Sequence, residues 1–388
     1  MVSFENTEIA FKSKSNKDLL RAYFLFSLIA KNGLVRLTNG FLSLGLRLGL
    51  PIKWIVKPTV YAHFVGGESI DDCMKAIRTL EKFNVKGVLD YSVEGKESIE
   101  DIENALSETL KSIKNAANDA NIPFAVFKPT AFTSATVLEK VSLNATLSES
   151  EKQESQNFRD RVNTLCKAAY EAQIPILIDA EDSWFQNFID EVVETMMEKY
   201  NKEKAIVFNT LQMYRWDRLE FLNQSYKKSL KGNYFLGIKF VRGAYMEKER
   251  ERALEKGYKS PIQSDKESTD RDYNAGLKFC IDHIDTVSVF NGSHNEYSAQ
   301  YMADLMEQKG ISRSDPRCYF AQLYGMSDHI SFNLAAEGYN VGKYVPYGPV
   351  KHVMPYLFRR AEENTSVAGQ TGRELSLLIS ERRRRRSG

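Results

Sequence analysis

Tyr356, Arg359, Arg360 and Glu363 stand at i, i+3, i+4 and i+7 in the stretch YLFRRAEENTS. On a helix that spacing gathers them on one face. Two adjacent guanidiniums form a fork suited to a small carboxylate, and a glutamate one turn on can hold one of them by an ion pair. A plain salt bridge on an outer, solvated helix has the same pattern, so these residues alone leave both readings open. A second stretch, KFVRGAYMEKER, sets Gly243 and Ala244 between Lys239 with Arg242 and a charged segment. Small residues there let a backbone approach a flat ligand closely. A tight strand-to-helix turn needs them equally.

The elements that must position these side chains are short apolar runs alternating with longer amphipathic segments from about residue 85 onward. The runs are KGVLDYSVE, FAVFKPTAF, PILIDAED, AIVFNTLQMY, LGIKFVRGAY, VSVFNGSHN, CYFAQLYGM and KYVPYG. Most are near-continuous in Val, Ile, Phe and Leu, as strands buried on both faces of a parallel sheet are. Eight strand–helix units predict an α/β chain folded as a (β/α)8 barrel, with its site at the C-terminal strand ends. Asp90, Lys128, Asp179, Gln212, Arg242 to Tyr245, His294 with Asn295, Gln322 and Tyr344 fall at those ends. Such a set is expected to converge on one mouth. Pro349 lies near the start of a last helix, where a missing N–H costs nothing.

The division expected is a helical N-terminal arm over 1–84, a barrel over 85–366 and a polybasic tail over 367–388. Ser3 to Asp18 reads as a polar lead-in. Ser69 is a plausible N-cap, with Asp71 and Asp72 in the first turn. Residues 19–50 are rich in Leu, Phe and Gly but interrupted by Arg21, Lys31, Arg36 and Arg47. They read as one or two amphipathic helices rather than a membrane span, with docking at a membrane surface as a weaker alternative. Arg382 to Arg386 read as a solvated tail, with contact to anionic lipid as the other possibility.

Composition narrows the class. With 53 Lys and Arg against 51 Asp and Glu, the net charge of +2 argues against nucleic-acid binding. The four cysteines form no CxxC pair and read as reduced core thiols. The five histidines contain no HxH or HxxxH pair, so no metal site is expected.

KFVRGAYMEKER, SPIQSDKESTDRDYN, FAQLYGMSDHISFNLAAEGYNVGKYVPYG and PYLFRRAEENTS, with DYSVE, FKPTAF and LIDAED upstream, together resemble proline dehydrogenase. The resemblance runs from about Lys86 to Ser366, in order, and fits the monofunctional form. It implies a non-covalent FAD and oxidation of L-proline to 1-pyrroline-5-carboxylate by hydride transfer from the ring to flavin N5. Electrons then pass to a membrane quinone.

By the same resemblance, Arg359 and Arg360 grip the substrate carboxylate together with Lys128, and Glu363 pairs with the arginine side. Tyr245, Tyr344 and Tyr356 wall the substrate. Tyr344 crowds the ring near C4, which implies preference for L-proline over trans-4-hydroxy-L-proline. Asp179 and Lys239 are the implied catalytic pair beside the flavin. Lys239 falls where many bacterial members carry arginine, and lysine also occurs there in members resembling the eukaryotic form. Ala180, Gln212, Lys239, Val241, Arg242, Gly243, Ala244, Ser293 and His294 are the implied cofactor contacts. The Ser293–His294 pair stands where the family has Thr-His. A cytoplasmic location with peripheral contact at a bacterial inner membrane is expected, since no Arg/Ser-rich transit peptide is evident, with the mitochondrial inner membrane as the alternative. Other flavin barrels reduced by NAD(P)H, or an inactive barrel that only binds, are the competing readings.

Overall fold

The computed structural model describes residues 2–29, 56–92, 98–366 and 370–387, with the side chains of 361–371 outside that description. Eight parallel strands close a barrel in chain order. They are β1 (Val85–Tyr91), β2 (Ala125–Phe127), β3 (Ile176–Ile178), β4 (Val207–Gln212), β5 (Leu236–Val241), β6 (Val287–Gly292), β7 (Cys318–Leu323) and β8 (Val341–Tyr347). Six fall wholly inside one of the eight apolar runs, while β1 begins one residue and β8 two residues before its run. Burial is continuous along β2, β3, β4 and β8, which is why these strands carry no alternating polar face.

The chain divides into two compact units, residues 95–321 and residues 1–94 with 322–388. In the first, the rings of Phe208, Phe290 and Tyr319 pack edge-on around Phe124 at 5.8, 5.0 and 4.8 Å. Five of its helices start at side-chain caps: Ser98, Ser134, Ser148, Asp265 and Asn295 each accept a backbone N–H of the following turn. Ser148 and Glu151 complete a reciprocal capping box. These caps fix where those five helices begin.

In the second unit β1 pairs with β8 in register, Val88 opposite Tyr344. Ser69 caps the helix Ile70–Glu81 by accepting the Asp72 N–H. Phe11, Leu19, Phe26, Phe64, Met354 and Leu377 lie in one apolar core. The helix Asn16–Ile29 covers the first part of the expected amphipathic region; 30–55 lie outside the described residues.

Two expectations are corrected here. Ser3–Asp18 is not a polar lead-in, because Phe4, Ala10 and Phe11 are buried and Thr7–Ala10 is helical. The polybasic segment is not a tail: Gln370–Ser387 is a helix with Leu377 and Leu378 buried. Glu381, fully buried, takes Arg384 and Arg385 as partners. Arg385 also donates to the carbonyls of Phe11 and Lys14. Like charges in a row are tolerated because one buried carboxylate and two backbone acceptors face them.

Candidate active site

Lys128 and Asp179 follow β2 and β3 directly, Gln212 ends β4, Val241 ends β5, and Arg242 and Ser293 follow β5 and β6. Within the unit of residues 95–321 several of these side chains meet. Lys239 Nζ reaches across from β5 to Asp179 Oδ1 at 2.6 Å. The lysine is buried, whereas Asp179 and Ala180 are half-buried. Gln212 donates through Nε2 to the Glu181 carbonyl at 2.6 Å. Only the NH2 end of an amide can serve a carbonyl, so the donor and acceptor ends are fixed by that bond. Its Oε1 is buried and has no partner among the described residues.

Arg242 is the hub at the end of β5. Its guanidinium meets Asp270 at 2.7 Å, donates to Ser293 Oγ at 2.7 Å and to Ser298 Oγ at 3.0 Å, and lies 4.3 Å from the Tyr273 ring centroid. Burial works to raise the Asp270 carboxyl, yet hydrogen bonds from Lys266 and Arg242 and the arginine charge hold it below the usual carboxylate range. Tyr273, wholly buried, has its phenol pushed up by desolvation.

Residues 241–246, from the last residue of the buried strand β5 to the first of the next helix, are all half-exposed. Gly243 sits there at φ +128, and a Cβ on it would come within 2.5 Å of the Tyr214 ring. Its glycine is therefore demanded by backbone conformation and by Tyr214. Tyr245 donates to Glu181 Oε2 at 3.3 Å. Ala244 and His294 are half-exposed neighbours of this cluster in sequence.

In the other unit Asp90 accepts from Ser92 Oγ at 2.7 Å. Tyr344 is buried within β8, three residues before its end. The helix Val350–Ser366 carries Tyr356 and Arg360, both buried, with the Arg360 guanidinium 5.1 Å from the Tyr356 ring centroid. Arg359 is half-buried on the same helix. The Glu363 side chain, expected to pair with an arginine, lies outside the described residues.

Glu181 is the residue that sequence reasoning passed over. It is buried, and it lies in LIDAED two positions beyond Asp179. A second acid so close after a strand end was the available signal.

The sequence profile of the family described as proline dehydrogenase matches residues 73–373. The chain belongs to the proline dehydrogenase family. It is 31% identical to mitochondrial proline dehydrogenase 1 of Dictyostelium discoideum over 98% of this chain and 74% of that one. It is 32% identical to the carbapenem antibiotics biosynthesis protein CarD of Pectobacterium carotovorum subsp. carotovorum over 85% of each. Among solved structures, proline utilization A from Bdellovibrio bacteriovorus superposes with a TM-score of 0.73 at 19% identity, covering 95% of this chain. This chain spans 40% of that protein's length, and the likeness speaks for the barrel fold. Membership of the proline dehydrogenase family makes the chain an oxidoreductase of proline catabolism.

Proposed function

We propose that the chain oxidises L-proline to 1-pyrroline-5-carboxylate with non-covalently held FAD, and that its electrons leave to a membrane quinone. The observation that carries the cofactor is the buried Gln212 Oε1 with no partner among the described residues. A buried amide oxygen left without a donor is costly, and a flavin ring N–H is a donor of the right kind. The donor set beside it fits as well: Arg242 offers a positive charge organised by Asp270, Ser293 and Ser298, suited to a pyrophosphate or ribose. FAD, when bound, supplies the acceptor for the hydride that leaves the proline ring.

The chain's own residues do the rest. Gln212, Val241, Arg242, Gly243, Ala244, Ala180, Ser293 and His294 hold the cofactor. Lys239, pinned by Asp179, places a fixed positive charge next to it. Arg359, Arg360 and Lys128 bind the substrate carboxylate, and Glu363 orients the arginines. Tyr245, Tyr344 and Tyr356 enclose the ring and exclude water. Holding the carboxylate end turns an encounter into an intramolecular arrangement, worth on the order of 7 kcal/mol or more for well-oriented reactants.

For the membrane contact, Leu20, Phe24 and Leu28 stand at i, i+4 and i+8 of Asn16–Ile29, and Phe24 and Leu28 are 58% and 53% exposed. Arg382 lies over the Tyr23 ring of that helix, and Arg383, Arg384 and Arg386 are exposed. An apolar row beside arginines suits an anionic lipid surface. No described helix is long and apolar enough to cross a membrane. A bacterial inner membrane is the surface proposed, with the mitochondrial inner membrane as the alternative.

The test is an anaerobic absorbance spectrum before and after L-proline. Visible flavin bands that bleach are expected; bands that bleach only with NAD(P)H, or a protein that takes up no FAD, would overturn the reading. Arg359→Met and Arg360→Met are expected to raise the proline KM by about 100-fold, two charge-assisted hydrogen bonds' worth, with FAD still bound. Catalytic efficiency on trans-4-hydroxy-L-proline equal to that on L-proline would remove the role assigned to Tyr344.

A further inference from the structure

The buried carboxylate of Glu181 joins parts of the site that come from different strand ends. Its Oε1 accepts from the Thr130 hydroxyl at 2.7 Å and the Thr130 N–H at 3.3 Å. Thr130 lies in the single helical turn Pro129–Ala131 that immediately follows Lys128. Its Oε2 accepts from the Tyr245 hydroxyl, beyond β5. The backbone of the same residue serves a different side: its carbonyl takes the Gln212 amide of β4. Its N–H donates to Gln186 Oε1 at 2.9 Å, and Gln186 donates on to Asp190.

A carboxylate is costly to bury, so a position that keeps one must use it. Here two oxygens are divided between a turn after β2 and a tyrosine after β5. Neither Thr130 nor Tyr245 bonds the other. Their separation is therefore set by the span of one carboxylate that is itself fixed by Gln186 through its own backbone.

We infer that Glu181 is a positioning residue for the substrate side of the site, holding the Lys128 turn and Tyr245 at a set distance. The inference rests on the proline-oxidising reading above. Because the side chain serves Thr130 and Tyr245 while the backbone serves Gln212, the two functions separate on mutation. Removing the carboxylate disturbs proline binding and leaves the cofactor's environment as it was.

The experiment uses the full-length flavin-loaded protein. Glu181→Ala is expected to raise the proline KM about 10-fold, the loss of a hydrogen bond to a charged group, with the flavin absorbance maxima and FAD affinity unchanged. Glu181→Gln keeps an acceptor for Thr130 and is expected to restore most of the KM. Thr130→Val removes the hydroxyl half of the clamp from the partner's side and is expected to raise KM as well. In the Tyr245→Phe background the Glu181→Ala effect should shrink, because the shared bond is already gone. A wild-type KM in both Glu181→Ala and Thr130→Val, or strict additivity with Tyr245→Phe, would overturn the inference. Should Glu181→Ala not fold, Thr130→Val with an unchanged KM overturns it alone. If wild-type protein fails to bleach with proline, it is the functional reading that falls, which the same spectra reveal.

Discussion

Two lysines on strands, one in each unit, pair with aspartates at almost the same distance and end in opposite environments. Lys239 of β5 meets Asp179 at 2.6 Å, with side-chain exposures of 6% and 16%. Lys343 of β8 meets Asp328 at 2.8 Å, with exposures of 1% and 9%. Around Lys343 the charges alternate and close: Asp328 turns its other oxygen to Lys14 at 3.4 Å. Lys343 Nζ also donates to the carbonyls of Met326 and Leu323. Burial lowers the Lys343 ammonium despite the Asp328 charge, while Asp328, which burial alone would raise, is held far below its usual range by Lys343 and Lys14. That arrangement clamps the turn 323–328, where Gly325 and Ser327 take left-handed backbone angles, onto β8. The Lys239 pair, by contrast, has a half-buried carboxylate flanked by the half-exposed Ala180. A buried ion pair surrounded by acceptors serves the fold; on the proposed reading, one whose carboxylate stays in reach of an incoming ligand serves chemistry.

Lys343→Met tests the first half and should have the largest effect. It leaves Asp328 buried with only the more distant Lys14, and removing one partner of such a pair costs about 3–5 kcal/mol. Urea unfolding should show that loss, with activity falling only as folded protein is lost. A cost under about 1 kcal/mol would erase the distinction between the two lysines. Lys239→Met tests the other half. Water can reach Asp179, so the stability cost should stay near 1–2 kcal/mol. The rate of flavin reduction by proline should fall about 100-fold, equivalent to about 2.7 kcal/mol of barrier. Full activity in that variant would make Lys239 another structural lysine.

The barrel was legible because parallel strands buried on both faces leave unbroken apolar runs, and each of the eight runs overlaps one strand. The position of polar residues at the strand ends was legible for a related reason: Asp179, Gln212 and Arg242 interrupt or end such runs abruptly. The Lys343 cluster was not. Lys343 is visible in KYVPYG, but its partners stand at positions 14 and 328, and no local pattern links them. Glu181 escaped because its work is divided between side chain and backbone, across three loops. The arginine helix was misread from composition, although Glu381 three and four residues before Arg384 and Arg385 is the spacing of a helical ion pair.

The smallest effect expected is a pH dependence in the same unit as Lys343. His63 is bonded through Nε2 to the Gly325 carbonyl at 2.8 Å and packs edge-on against Phe26 and Phe64. Desolvation pushes its imidazole down to about 4, helped by the Lys14 and Lys343 charges and opposed by Asp328 and the Gly325 bond. The folded ring is thus neutral where the unfolded one begins to take a proton. Its contribution is complete above about pH 6.5 and is lost as pH falls toward 4, because the unfolded state binds the proton first. Since the ring is half-buried, solvent screening leaves on the order of 1–2 kcal/mol of that dependence. His63→Gln can keep an N–H for Gly325 and does not titrate, so the fall in unfolding free energy between pH 7.5 and 5 should be smaller by that amount. Asp328 does not interfere, because its depressed carboxyl matters only below its unfolded value near 3.8. Glu374, raised by burial, works in the opposite sense in both proteins and cancels in the comparison. Equal slopes would mean that the turn clamped by Lys343 opens enough to let His63 take its proton as readily folded as unfolded, and the rigid half of the comparison would fail with it.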